Sequence, residues 1–267
     1  MLPAERALPL RHAVALGLLQ GPAELLPISS SAHTTLLPWL AGWPYARQGG
    51  AQRKSFEVAL HAGAALALGG SARKTLERPR GGSRLARALA LTPPALAGLV
   101  LRGQIERRMG GPRSIAGGLA AGAVAMLLAD RPRQSAGRDF VQAGPRDGLA
   151  LGFAQAAALA PGVSRNGATL AVARARGFDR SAAHELSWWA GLPVLFGASA
   201  LESARIATGK GRSIDSTLLA GGAAACLSTA LSARVGGRGL ARLPLAPFAA
   251  YRLALAALVV VRLRRAQ

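Results

Sequence analysis

Eight stretches almost free of charge, set apart by short basic runs, constrain this chain more than any other feature. They fall at roughly 13 to 28, 55 to 70, 85 to 101, 114 to 129, 148 to 161, 186 to 201, 216 to 233 and 246 to 261. A helix needs about 20 apolar residues to cross a bilayer. The longer runs therefore read as spans, and the short ones broken by Gly and Pro as tilted or re-entrant pieces shielded by protein. "AGGLAAGAVAMLLA" and "AGGAAACLSTALSA" carry the small residues that let membrane helices pack closely.

Charge sharpens this reading. The net charge of +21 over 267 residues suggests an anionic partner. The positive residues, however, sit between the apolar runs, in "SARKTLERPRGGSRLAR" (71 to 87), "RGQIERRMGGPR" (102 to 113), "DRPRQSAGRD" (130 to 139) and the terminal "RLRRAQ". That is the layout of basic loops on a polytopic membrane protein. A soluble helical protein rich in Ala and Arg does not explain so many charge-poor segments in series. A nucleic-acid partner is disfavoured, because aromatic residues make up only 4% of the chain and leave little stacking surface. The single cysteine, Cys226, excludes an intramolecular disulfide and reads as a small buried apolar residue. The N-terminal run has no clear small-residue cleavage site, so the first helix is expected to stay.

The chain also echoes itself. "GLLQGPAELLPISSSAH" at 17 to 33 sets beside "GFAQAAALAPGVSRNGAT" at 152 to 169: Gly, two apolar residues, Gln, a small-residue helix, Pro, then a polar cluster. Paired interrupted segments in two halves of a chain mark many membrane binding sites. The first cluster brings Glu24, Ser29, Ser30, Ser31 and His33, and the second Ser164, Arg165, Asn166 and Thr169.

Ionisable groups inside membrane segments are costly and mark substrate or ion paths. Here they are Glu24, Glu57, His33, His61 and Arg165. Gln20 and Glu24 lie one turn apart on a shared helix face, and Pro27 is expected to stop that helix. Glu57 has His61 one turn later as its expected partner. "PGVSRNGAT" offers an Arg, hydroxyls, an amide and glycines, a set that suits phosphate oxygens. A Ser hydroxyl becomes a nucleophile when a carboxylate or His accepts its proton, and a His can protonate a leaving oxygen. Singly each has an ordinary explanation: serines after a proline cap helices, and a lone His or Arg sits at a membrane surface. Together they argue for phosphate chemistry.

At these residues the chain resembles the undecaprenyl-diphosphate phosphatases of bacterial membranes, also called bacitracin-resistance proteins. Gln20, Glu24, Pro27 and "SSSAH" (29 to 33) are similar to that family's first signature, and "PGVSRNGAT" (161 to 169) to its second. "SFEVALHAGAALAL", "FDRSAAHELSWWAGLPVLFGASALE" and "PLAPFAAYRLALAAL" extend the likeness over nearly the whole chain. The resemblance implies one all-α membrane domain over 1–267, a polytopic integral membrane protein with two inverted repeats (about 1–135 and 136–267) and two re-entrant helical hairpins. It implies hydrolysis of undecaprenyl diphosphate to the monophosphate carrier lipid of peptidoglycan synthesis. Position by position, Ser30 matches the nucleophile, Glu24 and His33 its acid and base partners, and Arg165 the diphosphate clamp. Gln20, Ser29, Ser31, Glu57, Ser164, Asn166 and Thr169 match substrate-binding positions. The resemblance also implies Mg²⁺ or Ca²⁺ with Glu24 as a ligand, a homodimer, and a place in the cytoplasmic membrane with the site facing outward.

The sequence departs from the family pattern at Ala32, where Gly is usual in a tight turn, at Asn166 in place of a Ser, at His61 where Gln is common, and at Gln20, which lacks a charge. A transporter or scramblase of anionic lipids is the alternative, since broken helices in repeated halves also build carriers. Glu24, Ser30 and His33 favour the enzyme.

Overall fold

The computed structural model of the chain describes residues 8–48, 50–77, 84–131, 137–205, 215–240 and 242–265. The expectation about the N-terminus rests partly on residues 1–7, and parts of the basic runs (78–83, 132–136 and the last two residues) also lie outside the described residues. The described residues are α-helical: α1 (Leu10–Leu25), α2 (Ser30–Leu40), α3 (Gly50–Glu77), α4 (Arg84–Met109), α5 (Pro112–Ala129), α6 (Pro145–Ala157), α7 (Arg165–Ala175), α8 (Arg180–Arg205), α9 (Ser216–Leu240) and α10 (Ala246–Arg265). Short 3₁₀ turns stand at Pro44–Arg47 and Phe140–Gln142.

Several helices outrun their apolar stretches, as α3 does on both sides of 55 to 70. Two stop short of them. α1 ends at Leu25 and α6 at Ala157, ahead of Pro27 and Pro161. A proline disfavours the α conformation in the residue before it, so each helix closes a little earlier than hydropathy suggests.

A single shift of 135 residues carries the start of α1 at Leu10 onto the start of α6 at Pro145. It also carries both ends of α2, Ser30 and Leu40, onto both ends of α7, Arg165 and Ala175. Gln20 falls on Gln155 by the same shift, and both are buried.

The helices divide into two compact units, with boundaries after Leu25, Ala32, Gly70, Val194 and Val235. In the unit containing α1, Leu16, Tyr45, Phe56, Leu60 and Ala225 form a buried cluster, with the Tyr45 and Phe56 rings edge to face at 5.5 Å. Its seams are made by glycine. A Cβ on Gly17 would come within 2.7 Å of the Ala224 methyl, one on Gly21 would strike the Ser228 carbonyl, and one on Gly63 the Gly222 carbonyl. Backbones meet here because no side chain separates them. The Ser228 hydroxyl uses that closeness, accepting from the Gly21 N–H at 3.1 Å and donating to the Gly17 carbonyl at 2.9 Å. It thus bridges two ladder groups of α1 just ahead of Pro22, where the helix lacks a donor. Cys226 is half-buried rather than buried.

In the other unit the core gathers Met126, Phe140, Leu151, Leu170, Phe178, Leu186 and Trp189. Gly148 and Gly152 of α6 lie against the Ala86 and Leu89 carbonyls of α4. Two carboxylates tie its loops down. Asp130 accepts from Arg174 Nε at 2.8 Å, Arg180 Nη2 at 3.1 Å and the Leu245 N–H at 2.8 Å. Asp147 accepts from Arg138 at 2.9 Å, from Arg176 and from the Gly144 N–H at 2.9 Å. Burial pushes the Asp130 carboxyl up, but the Leu245 N–H and the two guanidinium groups outweigh it and hold the group below its ordinary value.

Among the described residues, four helices are long and apolar enough to cross a membrane: Arg84–Leu101, Pro112–Ala129, Ser216–Gly236 and Ala246–Arg265. Their outward faces are apolar, with Leu99 and Val100 each 72% exposed. So much outward hydrocarbon is a liability in water and a fit to lipid.

Candidate active site

Each signature motif is a turn between a broken helix and a short helix. After α1 the chain bends at Leu26, Pro27 and Ile28, and Ser29 takes φ 78° before α2 starts at Ser30. After α6 the chain turns through Gly162, at φ 94°, and Ser164 takes φ 71° before α7 starts at Arg165. Among the described residues, these two serines are the non-glycine residues in the left-handed region. Such strain is held in place by its surroundings and clusters at functional sites. Ser29 and Ser164 also correspond under the 135-residue shift. Ala32, which stands where a Gly was expected in a tight turn, lies inside α2 and is fully buried, so its Cβ meets no turn constraint.

In the first unit the candidate polar residues of α1 and His33 are buried. Gln20, Glu24 and His33 are 0%, 7% and 1% exposed. Gln20 Nε2 donates to Glu24 Oε2 at 3.3 Å, on the shared helix face expected from their spacing. His61 does not partner Glu57 through its carboxylate. Its Nδ1 faces the Glu57 carbonyl at 2.8 Å, and its Nε2 lies 3.8 Å from Glu24 Oε2. A carbonyl only accepts, so Nδ1 carries the proton there and Nε2 is turned to the carboxylate.

Both signature turns belong to the second unit. Ser29 is buried, Ser30 and Ser31 are half-buried, and Ser29 Oγ lies 3.3 Å from Ser31 Oγ. Ser164 Oγ caps α7 by accepting from the Gly167 N–H at 3.1 Å. The half-buried Arg165 opens that helix, and its guanidinium lies where a Cβ on Gly191 of α8 would be. Asn166 and Thr169 face the same helix: Ser187 Oγ donates to Asn166 Oδ1 at 2.8 Å and lies 2.6 Å from Thr169 Oγ1. This buried network fixes the rotation of α7, and with it the direction in which Arg165 leaves the helix.

A hard cation takes oxygen ligands. Among the described residues no group of three or more His, Cys, Asp or Glu gathers to hold one. The Gln20 Oε1 atom, however, is buried without a hydrogen-bond partner next to Glu24. A carboxylate and an orphaned amide oxygen fit Mg²⁺ or Ca²⁺ if phosphate and water complete the shell.

Two features escaped the sequence reading. The Asp130 cluster sits in a run read only as basic, and the Asp147 cluster forms at the first turn of α6. Arg252 lies fully buried in α10, and its one signal was a charge inside the apolar run 246 to 261.

These features define a class: an all-α, multi-pass membrane protein whose two broken-helix turns each present hydroxyl groups at the start of a short helix. The chain belongs to the bacitracin resistance protein BacA family, which it matches over residues 13–258. Its relatives include an undecaprenyl-diphosphatase of Geobacter sulfurreducens, 36% identical over 91% of this chain and 94% of the relative. Undecaprenyl-diphosphatase 2 of Stutzerimonas stutzeri is 33% identical over 93% and 96%. An undecaprenyl-diphosphatase of Thermomicrobium roseum is 37% identical over 73% and 76%.

Proposed function

We propose that this protein hydrolyses undecaprenyl diphosphate to undecaprenyl phosphate and inorganic phosphate, returning the carrier lipid to peptidoglycan synthesis. Family membership supports the reaction. The observation that carries the site is the pair of left-handed serines, Ser29 and Ser164, each directly ahead of a short helix that opens with Ser30 or Arg165.

In this reading Ser30 Oγ attacks the terminal phosphorus. The bond from that phosphorus to the bridging oxygen breaks, undecaprenyl phosphate leaves, and a phosphoserine forms. Of Glu24 and His33, one accepts the Ser30 proton and the other protonates the departing oxygen. Water then attacks the phosphoserine, its proton passes to the same pair, and inorganic phosphate leaves as Ser30 regains its hydrogen. Arg165 clamps the diphosphate through charge-assisted bonds. Ser29, Ser31 and Ser164 supply further hydrogen bonds, Asn166 and Thr169 steady the start of α7, and Glu57 belongs to the polar lining. A divalent cation held by Glu24 and Gln20 would neutralise phosphate charge when bound.

The 135-residue correspondence is read as a duplication, 1–135 and 136–267. α2 and α7 have 11 residues each, about 16 Å of helix, too short to cross. In this reading α1–α2 and α6–α7 are re-entrant hairpins that return to their own side. Each half then crosses three times, and an odd number inverts the second half. The cytoplasmic membrane, an outward-facing site and a homodimer complete the reading and rest on the family resemblance.

The test is phosphate release from undecaprenyl diphosphate by detergent-purified protein, with Ser30→Ala and Arg165→Ala beside wild type. Loss in both folded variants supports the reading. Full turnover by Ser30→Ala removes the phosphoserine, and lipid movement in proteoliposomes without phosphate release replaces the enzyme with a carrier.

A further inference from the structure

Arg252 is a cation fully buried in a helix apolar enough to span a membrane. Its guanidinium meets main-chain carbonyls and a thioether. Nη1 donates to the Pro27 carbonyl at 3.2 Å and stands 3.3 Å from Met126 Sδ. Nη2 lies 2.8 Å from both the Gly162 and Val163 carbonyls and 3.4 Å from that of Gly118. Nε has no hydrogen-bond partner. Two glycines make the space: a Cβ on Gly167 would come 2.7 Å from Nη1, and one on Gly122 would overlap Nη2.

The choice of acceptors is specific. Pro27 and Gly162 correspond under the 135-residue shift, and each stands two residues ahead of a left-handed serine. Broken helices leave carbonyls without donors, which is costly away from water. One guanidinium answers for both breaks at once. An apolar side chain at 252 would fill α10 without burying a charge, so packing alone does not account for an arginine.

We infer that Arg252 is a positioning residue: it joins the two signature turns through corresponding carbonyls and thereby sets Ser30 and Arg165 for catalysis without touching substrate. This inference rests on the phosphatase reading for its effect on turnover. The junction itself is a matter of geometry.

The test compares wild type with Arg252→Lys and Gly122→Ala in detergent. Lysine keeps the charge but cannot span both sets of carbonyls, and the alanine displaces the guanidinium without removing it while also pressing on the Val163 carbonyl, so in that variant the first turn, 29–33, is the readout. Two readouts are taken: amide hydrogen exchange at 29–33 and 164–168, and kcat with KM for undecaprenyl diphosphate. The expected result is faster exchange at both turns, not elsewhere, with kcat down about 100-fold and KM little changed, as for misplaced but intact groups. If Arg252→Lys leaves exchange at either turn at the wild-type rate, or leaves kcat unchanged, the inference is overturned. Should Arg252→Lys not fold, Gly122→Ala decides: wild-type exchange at 29–33, or an unchanged kcat, overturns the inference. If wild type itself releases no phosphate, the phosphatase reading fails, and exchange at the two turns alone decides whether Arg252 joins them.

Discussion

Ser29 and Ser164 share a positive φ, 78° and 71°, at corresponding places in two halves of the chain. At Ser164 the hydroxyl also caps α7 through the Gly167 N–H. Glycine there relieves the backbone and costs only a few tenths of a kcal/mol in capping, whereas alanine keeps the strain and loses about 1 kcal/mol with the cap. Ser164→Gly should therefore melt closer to wild type than Ser164→Ala in detergent. Both variants lack the hydroxyl, so the reverse order would mean that the positive φ carries no strain for glycine to relieve.

Asp130 neutralises the buried Arg174 and also engages Arg180 and the Leu245 N–H. Asp130→Asn removes the carboxylate charge that faces a buried guanidinium and should cost about 3 kcal/mol, read by thermal or denaturant unfolding. The carboxyl titrates below its ordinary value of 3.8. Its contribution is thus complete above that value and is lost as pH falls through the depressed one. Wild type should lose stability from this group only below about pH 4, and Asp130→Asn should flatten that part of the profile.

Gly21 faces the Ser228 carbonyl across a seam, while Gly117 on α5 faces open space. Gly21→Ala should destabilise by about 1–3 kcal/mol through overpacking. Gly117→Ala should be neutral or stabilising by up to about 1 kcal/mol. Equal melting shifts in the two variants would refute close backbone contact at Gly21.

The orphaned oxygen of Gln20 beside Glu24 gives the cation proposal a direct check. Chelation should stop phosphate release, and Mg²⁺ or Ca²⁺ should restore it. Gln20→Leu should raise the cation concentration needed for half-maximal rate about tenfold. Undiminished turnover in chelator would remove the cation from the reaction.

The α-helical membrane class was legible from alternating apolar and basic runs, and so were the two turns, because Pro27, Pro161 and their polar neighbours break helices by local chemistry. The Gln20–Glu24 pair followed from helical spacing. The His61 contact with Glu24 did not, since it depends on how α3 meets α1. Nor did the commitment of Asn166 and Thr169 to Ser187.

By itself the sequence determined which segments are helices, where they break, and which residues stand at the breaks, because propensity, hydropathy and proline sterics act over a few neighbouring positions. Tertiary structure alone decided that the Ser228 hydroxyl bridges Gly17 and Gly21 and that Arg252 reaches the carbonyl of Pro27, 225 residues away. Those bonds form where main-chain groups from remote segments come within about 3 Å. The glycines at the contacts allow that approach, and no local pattern records which backbone will arrive.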